Sequence, residues 1–393
     1  MKKKIDIIWT LDKICCWHCS FCCVDAYYVY ERKNKILIKS NGFNATIAAP
    51  SKKHNIYEEA NKVLIKNGLA LSLKEKLKIL DNLKTVNPRI AFSGGDFLLI
   101  KENIKVVKKA CKLFGKKNLS ITTTGEGMKN GQVNKYLKYV GSLEFTYDNV
   151  NDDDVNHNQN GYNRSNLDEF IKSCKGKIET QALIPISKTN KKKSTIKKIY
   201  ATLNSAGIDN IYLMRTFPVG RGCLSKESCL SRKEYINVID EYRELEKKML
   251  KPKVNIMCAL KNLFPGLNEN PCGFLKNSSD ITSNGLLIAD AFAYNQYGKA
   301  LHQDLVLGDL KKDKILNIYS QERVKKIISR ADENFGHCKI FAYLSNKKMG
   351  IEGFFSKSDP LYSIKSNRKI NQNKSKLNCL SSDCPPTNKE VKN

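Results

Sequence analysis

The sequence predicts an α/β protein, a partial (β/α)6 barrel followed by a small α+β C-terminal domain. Three observations carry that expectation: six strand-then-helix segments alternate over residues 4–220, a knot of cysteines follows directly on the first strand, and the pattern changes after Pro252. Strands spaced by helices pair in parallel through right-handed crossovers, which favours an open or partial barrel over a sandwich. At about 150 residues per average domain, 393 residues accommodate one large domain and a smaller one.

Residues 4–11 (KIDIIWTL) read as a buried strand leading into the cysteines at 15–23. Residues 26–70 lack clear periodicity and read as an excursion carrying one helix at about 56–66. Next come a helix at 73–84, a strand at 89–93 (RIAFS) with the turn Gly94-Gly95-Asp96, and a helix at 101–114. Ile104, Val107, Cys111 and Phe114 share one face of that helix, which makes Cys111 a core residue. A strand at 118–124, a helix near 129–138 and a strand at 141–148 ending in Asp148 continue the alternation. An Asn/Asp-rich loop at 149–163 leads to a helix at 164–174, where Leu167, Ile171 and Cys174 share a face. Strand 177–186, helix 190–206 and strand 210–217 complete six units. Helix 231–249, apolar at Tyr235, Val238, Ile239, Tyr242, Leu245 and Met249, closes the barrel. Residues 1–250 are therefore assigned to the barrel, with an insertion at about 26–70. Residues 251–363 form the second domain, with a short strand at 285–293 and a helix near 312–329. Residues 364–393, rich in Asn, Lys, Ser and Pro, form a flexible polar tail.

Lys+Arg minus Asp+Glu is 68 − 39, a formal charge of +29, which favours an acidic partner. The basic residues are nearly all Lys, and Asn and Ile are also abundant, a pattern that A/T-rich coding produces without any binding role. No run approaches the ~18 apolar residues of a membrane span, and Asp6 and Asp12 interrupt the first apolar stretch. A cytoplasmic protein without a membrane partner is expected. Five of the 14 cysteines crowd into residues 15–23, too close to staple distant segments, and clustered thiols in a reducing compartment point to a metal.

Cys15, Cys19 and Cys22 have the spacing C-x3-C-x2-C. Three thiolates on one tight loop hold three irons of a cubane cluster and leave the fourth iron open for a substrate or cofactor ligand. A structural zinc site wants four ligands, for which Cys16, Cys23 or His18 are at hand; Cys16 and Cys23 are otherwise bystander thiols. The spacing, with Phe21 just before the third cysteine, resembles the hallmark of the radical S-adenosylmethionine (radical SAM) enzymes. Ser93-Gly94-Gly95-Asp96 after the second strand is similar to that family's Gly-Gly-Glu motif, with Asp in place of Glu. The resemblance covers roughly residues 4–220.

What the resemblance implies is a [4Fe-4S] cluster on Cys15, Cys19 and Cys22 that chelates S-adenosylmethionine, cleaves it reductively and generates a radical that abstracts a substrate hydrogen. Glycines let backbone carbonyls approach the methionine ammonium, and Asp96 adds charge or supports the turn. Cys15, Gly94, Thr124, Asp148 and Arg215 all fall at the carboxyl ends of predicted strands, where barrels gather ligands. Asp148 contacts the ribose or substrate, or caps a turn; Arg215 pairs with the cofactor carboxylate or forms a salt bridge at the rim.

Residues 216–222 (TFPVGRG) and Cys272-x12-Gly285, followed by Leu307-Gly308-Asp309, resemble a SPASM or twitch extension. The pattern departs from the family's: Asp290 stands where a cysteine is usual, and His337-Cys338 replaces a C-x2-C pair. Three readings stay open for this domain: an auxiliary iron–sulfur cluster using Cys272, Cys338 and ligands borrowed from Cys258, Asp290 or Cys384; a degenerate domain without one; or a thiol that donates hydrogen to a substrate radical, with Cys223 and Cys229 as candidates. The family points to a ribosomally made peptide as substrate, ending in a crosslink, thioether or epimerised residue. An acidic leader would suit the +29 surface, and a flavodoxin or ferredoxin would supply electrons. Only 14 residues precede Cys15, so leader recognition is expected from the 26–70 excursion, the second domain or the tail. The alternatives are an RNA-modifying radical SAM enzyme and a noncatalytic zinc or iron–sulfur protein that binds nucleic acid. No RNA-binding module or aromatic-interleaved basic patch supports the nucleic-acid readings.

Overall fold

In the computed structural model the first apolar run forms strand β1 (Lys4–Asp12), in which Ile5, Ile7, Trp9 and Leu11 are buried. The structure describes residues 4–124, 133–148, 171–172, 174–224, 230–264, 272–275 and 278–362. A short strand β2 (Ile14–Cys15) follows β1, then a hairpin and meander of β3 (Tyr27–Arg32), β4 (Lys35–Lys39) and β5 (Asn44–Ala48). The main sheet resumes with β6 (Asn87–Gly94), β7 (Leu119–Thr123), β8 (Ser142–Thr146), β9 (Glu179–Ile186) and β10 (Asn210–Arg215). These strands and β1 are the six predicted from the sequence. They lie side by side in chain order and pair in parallel throughout.

The sheet does not stop at residue 250. Strand β11 (Lys253–Ile256) pairs parallel with β10, and β12 (Ser278–Ile281) pairs parallel with the free side of β1. Strands β13 (Leu286–Ile288) and β14 (Val306–Asp309) extend that side antiparallel. The C-terminal residues thus flank both sides of the six-stranded unit in a ten-stranded sheet whose edge strands β11 and β14 do not pair, an open barrel.

The outer helices follow from caps and apolar stripes. Asn55 caps α1 (Ile56–Lys66), and Ser72 with Glu75 forms a capping box for α2 (Leu73–Leu83). Helix α3 (Asn103–Phe114) buries Val106, Val107 and Ala110; Cys111 sits half-buried against the same core. Helices α4 (Val133–Leu137) and α5 (Lys193–Ala206) follow, the latter ended by Gly207 in the left-handed region. Ser231 and Glu234 box α6 (Arg232–Met249), which buries the predicted Tyr235, Val238, Ile239 and Tyr242. In the last third, α7 (Ile315–Ser320), α8 (Glu322–Ser329) and α9 (Lys339–Ser345) are short.

Three expectations are corrected. The 26–70 excursion carries its predicted helix but also strands β3, β4 and β5, which join β2 in a four-stranded sheet. Lys33 and Asn34 both take positive φ (50° and 55°), the two-residue turn whose twist suits a hairpin, without the Asn-Gly signal that usually announces it. The helix expected near 312–329 breaks at Gln321, whose ψ of 134° is extended. The strand expected at 285–293 ends at Ile288, after which Asp290–Ala293 forms a hydrogen-bonded turn. The loop at 149–163, most of the helix at 164–174, and the tail lie outside the described residues; Cys174 is buried, as its helical face required. No helix among the described residues is long and apolar enough to cross a membrane.

One buried ion pair joins the barrel to the chain's far end. Arg215, at the end of β10, donates to both carboxylate oxygens of Asp359 at 2.8 and 3.2 Å, and its guanidinium lies 3.3 Å from the centre of the Phe341 ring. Breaking such a pair strands a charge in the interior, whereas replacing both partners by apolar groups removes the desolvation cost as well. Asp359→Ala should therefore lower stability by about 3–5 kcal/mol in urea unfolding. Arg215→Met/Asp359→Leu should recover most of that loss; equal losses in the single and double variants would contradict the account.

Candidate functional site

The cysteine loop opens as β2 leaves the main sheet. Cys15, Cys19 and Cys22 all line one cavity at the carboxyl ends of the barrel strands, with Trp17, Phe21 and Cys23. Two of the three sulfurs accept backbone amides, Cys15 from Trp17 at 3.4 Å and Cys22 from Ala26 at 3.3 Å. Burial pushes the Cys19 thiol well up, and the neighbouring Cys15 and Cys22 add to the effect. The three thiols share one space, and that of Cys19 is costly to ionise until a cation shares its charge.

The opposite wall is the turn after β6, where Ser93, Gly94 and Gly95 line the same cavity. A Cβ on Gly94 would stand 1.9 Å from the Asp12 carbonyl oxygen, and one on Gly95 would stand 2.1 Å from that of Ile14. Those same carbonyls accept the amides of Gly95 at 3.1 Å and Asp96 at 2.7 Å. The glycines are thus required first by the approach of the chain that feeds the cysteine loop. Asp96 is buried, and its carboxylate accepts the hydroxyls of Thr123 and Thr124 and the Leu98 amide. Of the two roles expected for it, supporting the turn is the one its partners describe. Thr124, which lines the cavity, is fixed through it.

Beneath the turn runs a buried chain of polar groups. Lys76 donates to the Asn103 amide oxygen at 2.9 Å, and the Asn103 amide nitrogen donates to Asp12 and to the Phe97 carbonyl, both at 2.7 Å. Burial pushes the Asp12 carboxyl up to about 6 against the pull of Lys76 and Asn103.

The segment Gly220-Arg221-Gly222, noticed in the sequence only as part of TFPVGRG, clamps the cysteine loop. The Arg221 amide donates to the Cys22 carbonyl at 2.8 Å, and its guanidinium donates to the carbonyls of Cys19 (3.0 Å) and Ala26. Gly220 takes φ 56°, and a Cβ there would meet the backbone of Cys22 and Cys23 within 2.5 Å. Arg221 also lies 3.4 Å from the buried Asp25, which accepts the Asn41 and Gly42 amides and so ties the loop to the β4–β5 turn. An arginine between two glycines was the available signal for this clamp.

The remaining predicted residues fall in several places. Asp148 is buried, close enough to Cys19 to raise its thiol further, and its carbonyl accepts the Asn190 amide. Arg215 reaches the cavity wall, and its terminal nitrogens donate to Asp359, the salt bridge that was one of its two expected roles. Cys223 turns back on its own loop, donating to the Pro218 carbonyl at 3.2 Å, and is not among the described residues lining the cavity. Cys229 lies outside the described residues. Cys272, Asp290 and Cys338 gather among the C-terminal residues, each thiol raised first by burial and then by neighbours, Asp290 for Cys272, and Asp359 followed by Cys272 for Cys338. The buried Lys339 stands among them and opposes the shifts of Cys272 and Asp290. Cys258 opens the turn Cys258–Leu263 with φ 50°.

The donor set fits an iron–sulfur cluster. Among the described residues no three His, Cys, Asp or Glu side chains converge on one point where a metal ion would sit. A cubane takes its thiolates at separate corners, so it needs thiols that ring a space. Cys15, Cys19 and Cys22 do so, with amide donors already on two of the sulfurs. His18 instead packs on Tyr28, ring centroids 5.3 Å apart.

No protein-family model matches the chain, and no curated protein matches it in sequence. The fold does match solved structures. SuiB of Streptococcus suis bound to its precursor peptide SuiA superposes with a TM-score of 0.59 at 13% identity, over 84% of this chain and 67% of SuiB. SuiB bound to S-adenosylmethionine gives 0.58 at 13% identity, over 84% and 68%. anSMEcpe with bound AdoMet and the Cp18Cys peptide gives 0.56 at 12% identity, over 94% of this chain and 96% of that one. The chain shares the fold of these structures.

The clamp predicts a thiol phenotype. Arg221→Gln removes charge-assisted hydrogen bonds each worth about 1.5–3 kcal/mol, enough to raise local opening at least about tenfold. Alkylation of Cys15, Cys19 and Cys22 in the metal-free protein, followed by mass spectrometry, should accelerate by that factor with far-UV dichroism unchanged. Unaltered rates would mean that the loop is held without Arg221.

Proposed function

We propose that this chain is a radical SAM enzyme that acts on a ribosomally made peptide. The observation that carries the reading is the meeting, in one cavity at the carboxyl ends of six parallel strands, of Cys15, Cys19 and Cys22 with the Ser93–Gly95 turn. The three thiolates would hold a [4Fe-4S] cluster, and the turn with Thr124 would face S-adenosylmethionine. Cluster and cofactor together supply one-electron cleavage of the sulfonium and abstraction of a hydrogen atom from substrate.

This chain's own residues position the reactants and exclude water. Trp17, Met257, Phe217 and Phe292 line the cavity, the last two stacked with centroids 4.0 Å apart. Such walls keep solvent from a reactive intermediate. Asp148 beside the cysteine loop is the candidate for a ribose or substrate contact. A peptide substrate is supported by the peptides bound to SuiB and anSMEcpe. The +29 charge favours an acidic leader, whose attraction salt would weaken. A flavodoxin or ferredoxin is the fitting electron donor. In the second domain Cys272, Cys338 and Asp290 remain candidate ligands of an auxiliary cluster, with Cys258 nearby in sequence, and Cys223 and Cys229 remain candidate hydrogen donors.

Iron, sulfide and zinc per chain after anaerobic reconstitution test the reading. Wild type should carry at least about four irons and release 5′-deoxyadenosine from S-adenosylmethionine with dithionite; Cys15→Ala/Cys19→Ala/Cys22→Ala should lose the product and about four of those irons. About four irons left in the triple variant would mark an auxiliary cluster. Zinc in place of iron in wild type would overturn the reading.

A further inference from the structure

Beyond the glycine turn the cavity reaches the inward faces of β7 and β8. Residues in register across parallel strands point the same way, and Thr122, Glu144 and Gln181 are in register on β7, β8 and β9. Glu144 lines the cavity beside Thr122, Thr146 and Leu183, yet none of its surface is exposed to solvent. Its Oε2 accepts the Thr122 hydroxyl at 3.0 Å, while its Oε1 has no hydrogen-bond partner. Burial pushes the carboxyl up to about 7, against the nearby Ser120 hydroxyl, which is itself left without a hydrogen-bond partner, and the Thr122 hydrogen bond. A buried carboxylate oxygen without a donor is costly, and a ligand group that reaches it removes the cost.

Charge decides which ligand. Among the described lining residues, thiols aside, only Glu144 and Arg215 carry charge, and Asp359 neutralises Arg215. The nearby Glu179 is already engaged, accepting from Gln181 at 3.3 Å and Asn210 at 2.9 Å. The cavity that Glu144 lines is apolar at Ile8, Leu183, Met214 and Met257. A ligand seated there needs an apolar body and a positive tip. We infer that Glu144 anchors an organic cation at the inner end of the cavity, either the sulfonium of S-adenosylmethionine or an alkylammonium side chain of the substrate. In this low-dielectric setting the carboxylate favours a cation over its neutral isostere. The sulfonium source rests on the proposed function; the ammonium source needs only the cavity.

Calorimetry on reconstituted wild type, Glu144→Gln and Glu144→Asp tests the inference, with iron content and circular dichroism reporting folding. One pair of probes is S-adenosylmethionine and S-adenosylhomocysteine. The other is n-pentylammonium and 1-pentanol, titrated with S-adenosylhomocysteine bound and also into the metal-free protein. At least one cation-to-neutral affinity ratio should fall about tenfold or more in Glu144→Gln and be largely retained in Glu144→Asp; the pair that responds identifies the source. Both ratios unchanged in Glu144→Gln at wild-type iron content would overturn the inference, leaving Glu144 satisfied by water. Wild type that takes up no iron but keeps a Glu144-dependent pentylammonium preference would sink the radical SAM reading and leave the cation site standing.

Discussion

Everything in the cavity depends on how closely the chain entering the cysteine loop passes the glycine turn. The backbone of Asp12 and Ile14 lies where the Cβ atoms of Gly94 and Gly95 would be, and the carbonyls that forbid those side chains accept the amides of Gly95 and Asp96. The register of β1 against β6 brings Asp12 opposite Gly94, with a shift between Thr10 and Asp12 that frees the chain to turn. Two cavity-lining segments separated by some 80 residues are thereby one unit. The Lys76–Asn103–Asp12 chain fixes that unit from below, so helices α2 and α3 bear on the cavity without touching it.

A chain with a large excess of lysine places its buried charges sparingly, and each is tied to geometry. Arg221 spends its donors on backbone carbonyls of the cysteine loop, with Asp25 balancing the charge. Lys13, buried beside Asp25, has its ammonium pushed down to about 8 by desolvation, against the attraction of that carboxylate. Buried ion pairs contribute little net stability because desolvation offsets attraction. What they do here is select one loop conformation from many, since any other leaves a charge unpaired in the interior. A loop that must keep three thiols facing one space needs that selection more than it needs stability.

The six strands were legible because apolar runs of strand length alternated with helical stripes, a pattern that tertiary context rarely overrules. The cysteine spacing and Gly94-Gly95-Asp96 were legible for a different reason: each sits immediately after a strand, where a barrel exposes its loops. The sheet in the insertion was not, because Lys33-Asn34 lacks the usual turn residues and the alternation of Ile36 and Ile38 is too short to stand out. Nor was the partner of Arg215, since 144 residues separate it from Asp359 and only packing brings them together. Glu144 escaped notice because a single acidic residue inside a strand reads as a solvent-facing position until the register shows it pointing inward.

The second domain shows how a sequence departure is absorbed. Asp290 takes a position where cysteine is usual in the resembled family, and a carboxylate beside two buried thiols would leave the interior short of positive charge. Lys339 supplies it, held by the Asn334 side chain at 2.8 Å and set over the Phe274 ring. Nearby, Phe292 stacks on Phe217, which also packs on Phe341, so the chain around Asp290 and Cys338 builds the cavity's aromatic wall. Strand β12 meanwhile closes on β1, the strand that feeds the cysteine loop. These contacts give the C-terminal residues a part in shaping the cavity, so losing their packing would disturb its walls even if every thiol of the cysteine loop remained.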